Sequence, residues 1–319
     1  MDIMTLLAII ISSSIMAAAP LIFTALGGVF SERSGIVNIG LEGLMVIGAF
    51  SAIIFNLGTS HIFGAATPWV SILFAMLIAG VFSLLHGLAS ITFRADQVVS
   101  GVAINFLALG LSIFLVKKIY GKAQTEMILT NVRKIDIPVL SKIPIIGKLF
   151  FSNVSYVAYV SIILSFVVWY ILFKTPFGLR LRAVGEHPMA ADTMGINVTL
   201  MRYIGVFLSG VLGGAGGAVY SQSITLDFSY STITGQGFMA LAAMIFGKWH
   251  PLGAMGAALF FGFAQSLSIV GSRIPFLENV PSVFLLIAPY VLTILALAGF
   301  IGRADAPKAL GQPYIKGKR

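Results

Sequence analysis

The sequence has no cysteine and little charge: none of its 319 residues is Cys, and only 10% are Asp, Glu, Lys or Arg. Without cysteine, the CxxC sites of metal and redox proteins are excluded. Soluble domains carry about 25% charged residues and at most about 50% apolar ones. This chain is 58% apolar, with a mean hydropathy of +1.00. The composition therefore excludes an ordinary soluble domain and indicates a chain that folds in lipid.

Motifs for nucleotide hydrolysis and metal chemistry are also missing. The sequence contains no GxxxxGK[ST] loop for phosphate, no HExxH and no GxSxG. The histidines are scattered without the spacing of metal ligands, at His61, His86, His187 and His250. We therefore expect no catalytic residue, no metal site and no cofactor in this chain. Any transport would have to be driven by a partner protein or an ion gradient.

Long apolar runs dominate the sequence. Residues 5–30, 69–93 and 154–173 carry no charge, and each reaches the roughly 20 residues that cross a bilayer as a helix. Because the runs are apolar on all sides rather than alternating, a β-barrel is excluded. The pattern predicts an all-α polytopic membrane protein. We predict about nine transmembrane helices, at residues 5–29, 36–57, 68–93, 98–116, 154–173, 201–222, 235–246, 252–271 and 281–301.

The basic residues predict an orientation. The formal net charge of +9 does not indicate nucleic-acid binding, because Lys and Arg in the loops orient a membrane protein. Twelve of the basic residues fall on the side of residues 174–202, and eight fall on the other. This excess predicts an N-terminus outside and a cytoplasmic C-terminus. Lys117 and Lys118 adjoin a span on the opposite side and count against this orientation.

The chain divides into one membrane domain and a tail. We expect a single transmembrane domain at 1–302 and a basic cytoplasmic tail at 303–319. An extracellular loop at 118–153 and a cytoplasmic loop at 175–200 interrupt the domain. The extracellular loop contains IPVLSKIPIIGKLFF, whose Pro and Lys suit a segment on the membrane surface. That segment is either a lid over helix ends or a docking surface for a partner.

Two predicted spans are interrupted by glycine. The span at 36–57 contains Gly40, Gly43 and Gly48 and follows Gly35. The span at 235–246 is bordered by Gly235, Gly247 and Pro251 and is too short to cross alone. Paired interruptions of this kind indicate the binding site of a transporter. In contrast, the small residues of SGVLGGAGGA are typical of close helix packing.

Four residues are candidates for a substrate pathway: Asn38, Glu42, Asn105 and Phe238. A carboxylate within a span is costly unless it meets a partner or water. Glu42 therefore contacts a substrate path, locks a broken helix by a hydrogen bond, or relays protons. Asn38 lies four residues earlier on the same helical face, so that Asn38 and Glu42 could converge on one ligand. Asn105 could instead bond a neighbouring helix, and Phe238 could stack on a flat ligand or face lipid.

A polar stretch, FGLRLRAVGEHPMAADTMGIN, separates two apolar spans. Pro188 suits the first turn of a short helix and Gly195 suits its end. The connection is longer than two neighbouring spans need. The pattern predicts a short helix across the cytoplasmic face on which another protein docks.

Three motifs resemble one family. RAVGEHPMAADTMGIN resembles the coupling-helix loop of ABC importer permeases that serve branched-chain amino acids, ribose-type sugars and nucleosides. SERSGIVNIGLEGLMVIGAF and GQGFMALAAMIFGKWHPLGA resemble two further signature regions of this subgroup. The NIGLEG and ALAAMIFGKW segments are most similar to its nucleoside importer permeases. The resemblance covers residues 21–301.

The resemblance implies a transport complex in a bacterial cytoplasmic membrane. Cytoplasmic ATPase subunits carrying ATP and Mg²⁺ would bind the short helix. An extracellular binding protein, either a lipoprotein or a periplasmic protein, would deliver the nucleoside. A second permease, expected to be a non-identical sister, would complete the pathway. The residues implied in coupling are Glu186, His187, Pro188, Ala190, Ala191 and Gly195.

Two alternatives stay open. One is a permease of the same subgroup for simple sugars or branched-chain amino acids. The other is an ion-coupled secondary carrier that uses Glu42 as its proton site.

Overall fold

A computed structural model describes residues 3–138, 140–270 and 306–317, with isolated positions at 284, 287 and 291. Helices account for all of the longer regular elements in these ranges, which otherwise contain two isolated β-bridges. The α-helices are α1 (Ile3–Arg33), α2 (Leu41–Phe63), α3 (Thr67–Gly87), α4 (Gln97–Tyr120), α5 (Ile146–Phe150), α6 (Tyr156–Lys174), α7 (Pro176–Glu186), α8 (Pro188–Thr193), α9 (Val198–Tyr220), α10 (Gln236–Phe246) and α11 (Pro251–Val270). One π-helical turn follows α3 and another follows α9.

Five helical stretches of the described residues are long and apolar enough to cross a membrane: Met4–Arg33, Leu41–Thr92, Gln97–Tyr120, Tyr156–Lys174 and Val198–Thr225. The 52-residue stretch Leu41–Thr92 is not straight. It folds back at the turn Gly64–Ala66, so that α2 packs against α3 and the rings of Phe55 and Phe74 stack 4.6 Å apart. The all-α polytopic class is thus confirmed, while the count of nine spans stays a prediction.

The centre of the bundle is α9, which packs against α1, α2 and α3. Glycines make this close approach possible. A Cβ at Gly214 would collide with Ala79 of α3, and a Cβ at Gly217 would collide with the carbonyl oxygen of Met45 in α2. Gly48 of α2 lies directly against the backbone of Gly214. The packing role predicted for SGVLGGAGGA is confirmed.

The two ends of the bundle differ. At one end, which we call the loop end, residues 124–132 run along residues 222–229. Backbone bonds join them from the Thr125 N–H to the Phe228 carbonyl and from the Ile128 N–H to the Leu226 carbonyl, both 2.9 Å. Asn56 of α2 donates to the Thr130 carbonyl at 2.8 Å. This part of the loop therefore covers helix ends, while the two alternatives for residues 137–151, a lid or a docking surface, stay open.

At the opposite end, which we call the tail end, α1 ends beside α7, α8 and residues 306–317. The predicted second span, 36–57, began too early. Gly35 has a φ of 92°, and the chain is not helical again until Leu41. The predicted ninth span, 281–301, lies outside the described ranges apart from three isolated helical positions.

Candidate functional site

The entry into α2 is a non-helical segment, residues 34–40, buried in the bundle. Exposed backbone polar groups are not tolerated in a bilayer, so irregular segments need partners from the protein. Both backbone polar groups of Val37 have such partners. Its N–H donates to Oε1 of Gln97 at 2.7 Å, and its carbonyl accepts from Nε2 of His86 at 3.0 Å. Both partners are buried, which indicates that His86 and Gln97 hold the segment in place.

Asn105 of α4 binds the start of α2. Its Oδ1 accepts from the Gly43 N–H at 2.7 Å, and its Nδ2 donates to the Ile39 carbonyl at 3.0 Å. The N–H groups of the first turn of a helix have no partner within that helix. A Cβ on Gly43 would lie 2.9 Å from the Asn105 Cα, so glycine is needed for this approach. Asn105 thus fixes where α2 begins.

Asn38 lies within the same segment but away from Glu42. Its Nδ2 donates to Oγ of Ser209 in α9 at 2.9 Å, and the residue is only 1% exposed. The expectation that Asn38 and Glu42 share one helical face is wrong, because α2 begins at Leu41 and Asn38 precedes the helix. Only a continuous helix would have brought the two side chains together.

Glu42 joins the two glycine-interrupted elements. Its Oε1 accepts from the Gly235 N–H at 2.5 Å and its Oε2 from the Gly237 N–H at 2.6 Å. These groups belong to the N-terminus of α10, which has 11 residues and measures about 16 Å. A bilayer core is about 30 Å thick, so α10 is a half-helix as predicted. The carboxylate caps the positive end of its dipole.

A cavity of about 240 Å³ lies beside this contact. Glu42, Asn105 and Phe238 line it together with five apolar side chains: Val46, Val102, Phe106, Leu109 and Ile233. Three of the four predicted pathway residues therefore meet at one cavity, and Asn38 does not. Within the described ranges, none of the lining residues is basic. Phe106 is 73% exposed and Phe238 48%, so aromatic rings stand at the edge of the cavity on the surface of this chain.

The arrangement suits a small, flat solute without negative charge. The carboxylate oxygens of Glu42 keep lone pairs that can accept further hydrogen bonds. The rings of Phe106 and Phe238 offer faces for stacking. An anion would meet the negative charge of Glu42, and the described residues that line the cavity include no cation to offset it.

The short helix predicted from the polar stretch is present as α8. Pro188 occupies its first turn, and Gly195, with a φ of 78°, follows its end. His187, Ala190 and Gly195 are exposed, whereas Ala191 is buried. The candidates for coupling therefore divide into surface residues and one packing residue.

Ala191 packs α8 against the neighbouring helices. It packs in an apolar cluster with Val184 of α7 and with Val198 and Met201 of α9. The surface beside the cluster is apolar as well: Met194 is 81% exposed and Leu179 62%. Both line a groove of about 700 Å³ between α7 and α9. An exposed apolar surface of this kind at the end of a membrane bundle is typical of a docking site.

Glu186 connects this region to the end of α1. Its carboxylate lies 4.0 Å from the guanidinium of Arg33. Arg33 also donates from Nε to the Trp249 carbonyl at 2.9 Å, and the Trp249 indole donates to Glu32 at 2.6 Å. Sequence reasoning missed Glu32, Arg33 and Trp249. The available signal was the adjacent charged pair Glu32–Arg33 at the end of an apolar run.

Comparisons with known proteins place the chain in a family of permeases. The pattern of a family described as the permease component of branched-chain amino acid transport systems matches residues 10–297. The chain is 66% identical to the guanosine ABC transporter permease protein NupQ of Bacillus subtilis, with 100% of both chains covered. It is 54% identical to the nucleoside ABC transporter permease protein NupC of Lactococcus lactis, again with 100% of both covered. The guanosine ABC transporter permease protein NupP of Bacillus subtilis is 24% identical over 85% of this chain and 76% of its own length.

Proposed function

The chain belongs to the family of permease components of branched-chain amino acid transport systems, and from this premise we propose that it is the permease subunit of an ATP-driven importer for nucleosides. The observation that carries the proposal is the full-length similarity to two proteins named as nucleoside permeases. Because the sequence itself has no nucleotide-binding loop, ATP hydrolysis in such an importer would be carried out by a partner subunit.

The chemistry of the cavity supports a nucleoside as the solute. A nucleoside has a flat base and several hydroxyl groups, and it carries no phosphate. Phe238 and Phe106 would stack on the base, while Glu42 would accept hydrogen bonds from the solute without leaving α10. Asn105 would hold the start of α2 in position at the edge of the path.

We infer that a second permease subunit completes the pathway. The exposed rings of Phe106 and Phe238 place the cavity at the surface of this chain, where a partner would close it. Two different Bacillus subtilis proteins named as guanosine permeases match this chain, at 66% and 24% identity. This favours a non-identical sister subunit over a second copy of the same chain.

We further propose nine spans, with the loop end outside the cell and the tail end in the cytoplasm. A cytoplasmic ATPase with bound ATP and Mg²⁺ would then dock on His187, Ala190 and the groove beside Met194. The packing of Ala191 would keep α8 in place while the ATPase subunits change conformation. An extracellular binding protein would deliver the nucleoside at the loop end, and the membrane would be the bacterial cytoplasmic membrane.

The test is purification of this subunit from its own membranes in mild detergent, followed by mass spectrometry and by uptake measurements in proteoliposomes. We expect a stoichiometric ATPase and a second permease, and ATP-dependent uptake of labelled guanosine that unlabelled nucleosides suppress. If unlabelled ribose or leucine suppressed this uptake instead, the transported solute would be a simple sugar or a branched-chain amino acid. Uptake by the chain alone, abolished by a protonophore at constant ATP, would support an ion-coupled carrier and refute the importer.

A further inference from the structure

Residues 306–317, which we call the C-terminal segment, lie against the tail end of the bundle instead of extending from it. The Ala309 N–H donates to the Gly185 carbonyl at 2.9 Å, and the Gly311 N–H donates to the Gly35 carbonyl at 3.2 Å. Gly185 is near the end of α7, and Gly35 is in the turn after α1. Pro307 and Ala309 are buried by these contacts. The segment therefore bridges two elements that are far apart in the sequence.

A buried arginine strengthens this attachment. Arg202, in the first turns of α9, is 1% exposed, and its Nη1 donates to the Gln312 carbonyl at 3.0 Å. A charge withdrawn from water is costly unless the protein provides hydrogen bonds. A side chain at Gly35 would come within 3.1 Å of Nη2 of Arg202 and 3.3 Å of the Ala309 carbonyl oxygen. The turn after α1 is thus shaped to receive both Arg202 and the segment.

The same segment also reaches the α8 region. Tyr314 packs against the apolar cluster that contains Val184, Ala191, Val198 and Met201. It lines a cleft of about 450 Å³ together with Asp192 of α8 and Thr199 of α9. The C-terminal segment consequently contacts α7, α8, α9 and the turn that follows α1.

We propose that the C-terminal segment, seated by Arg202, is a clamp that positions α7 and α8 for coupling. A six-residue helix such as α8 cannot keep its shape or place without tertiary contacts. Force applied to α8 reaches the spans only through packed contacts and hydrogen bonds. The clamp supplies such contacts to the turn between α1 and α2 and to α9, so that motion at α8 moves the spans. This inference rests on the proposed function, because coupling presupposes an ATPase partner.

The first experiment compares variants in the complete reconstituted complex. In the same proteoliposomes, ATP hydrolysis and guanosine uptake are measured for Arg202→Gln, Arg202→Lys and Gly311→Val. We expect Arg202→Gln to lower the amount of nucleoside taken up per ATP by about ten-fold. Loss of a hydrogen bond from a charged group changes an equilibrium constant, here that of docking of the segment, by about this factor. Arg202→Lys should recover part of the ratio. Gly311→Val should mimic Arg202→Gln, because a branched residue disfavours the φ of 78° at this position.

The matched control is Lys308→Gln. The Lys308 side chain is exposed and only its backbone N–H faces Glu186, so this variant keeps the clamp and should keep the ratio. Hydrogen exchange at the amides of Ala309 and Gly311 reports docking without any transport. Arg202→Gln should lose that protection. If protection is lost while uptake per ATP stays at the wild-type value, the clamp has no part in coupling and the proposal is overturned.

A second variant covers the case in which Arg202→Gln fails to assemble. The chain has no cysteine, so Asp192→Cys with Tyr314→Cys can be joined by a short bis-methanethiosulfonate reagent, which forms a disulfide with each thiol and releases a sulfinate. A clamp stays docked throughout transport, so cross-linking should leave uptake unchanged. Loss of uptake that a reductant restores would show that the segment must detach, and would overturn the clamp.

If the wild-type complex shows no ATP-driven nucleoside uptake, the proposed function fails, while hydrogen exchange still tests docking by Arg202.

Discussion

Polar side chains inside this apolar bundle mainly bind backbone groups of interrupted helices. Glu42 binds the start of α10, Asn105 binds the start of α2, and Gln97 and His86 bind Val37 between α1 and α2. The sequence alone marks Glu42 and Asn105 as candidates, because each interrupts an apolar run. It gives no sign of the Gln97–Val37 contact, since the two residues are 60 positions apart and nothing local relates them.

The residue-scale prediction concerns Glu42→Gln. Glutamine has the same shape, but one carboxylate oxygen becomes an NH₂ group, which cannot accept from Gly235 or Gly237. A buried N–H left without a partner costs about 1–3 kcal/mol. We expect the initial rate of guanosine uptake to fall by about ten-fold or more with the complex still assembled. Uptake kinetics equal to the wild type would exclude Glu42 from both the pathway and the support of α10.

Interrupted helices were predictable in part. The length of α10 followed from Gly235 and Gly247 at its borders, and the helix observed has 11 residues. The start of α2 was predicted five residues too early, because the apolar residues Ile36, Val37 and Ile39 resemble a span. Their backbone is satisfied by other helices rather than by its own helical bonds. Hydrophobicity shows that a residue is buried but does not show which backbone conformation it adopts.

The element-scale prediction tests the packing of α9. In Gly214→Ala, the added methyl group would collide with Ala79, so α3 and α9 would have to separate. Overpacking of a tight core costs about 1–3 kcal/mol, and we expect a lower melting temperature of the purified subunit. The matched control is Gly110→Ala in α4, where a Cβ would have no atom of another described element within 4 Å. Alanine favours a helix over glycine by about 1 kcal/mol, so the control should melt no earlier. Equal melting temperatures for the two variants would contradict the packing role.

At the scale of the whole molecule, the sequence predicted the class and the family but not the link between the two functional regions. The cavity and α8 are joined through α1, whose far end holds Arg33 against Glu186 and whose following turn leads into α2. No sequence motif predicts this link, because it depends on contacts between residues far apart in the sequence. Arg33 and Trp249, for example, are 216 positions apart. Long-range contacts of this kind are visible only in the folded chain.

The last prediction tests the orientation of the whole chain. Single cysteines can be introduced without removing any, since the sequence has none. Leu129 is 95% exposed at the loop end, and Lys316 is exposed at the tail end. With the loop end outside, a membrane-impermeant maleimide should label Leu129→Cys in intact cells and Lys316→Cys only after permeabilisation. The reverse pattern would invert the orientation and move the ATPase site to the loop end. Labelling of both variants in intact cells would contradict the assignment of the two positions to opposite sides, and with it the count of nine spans.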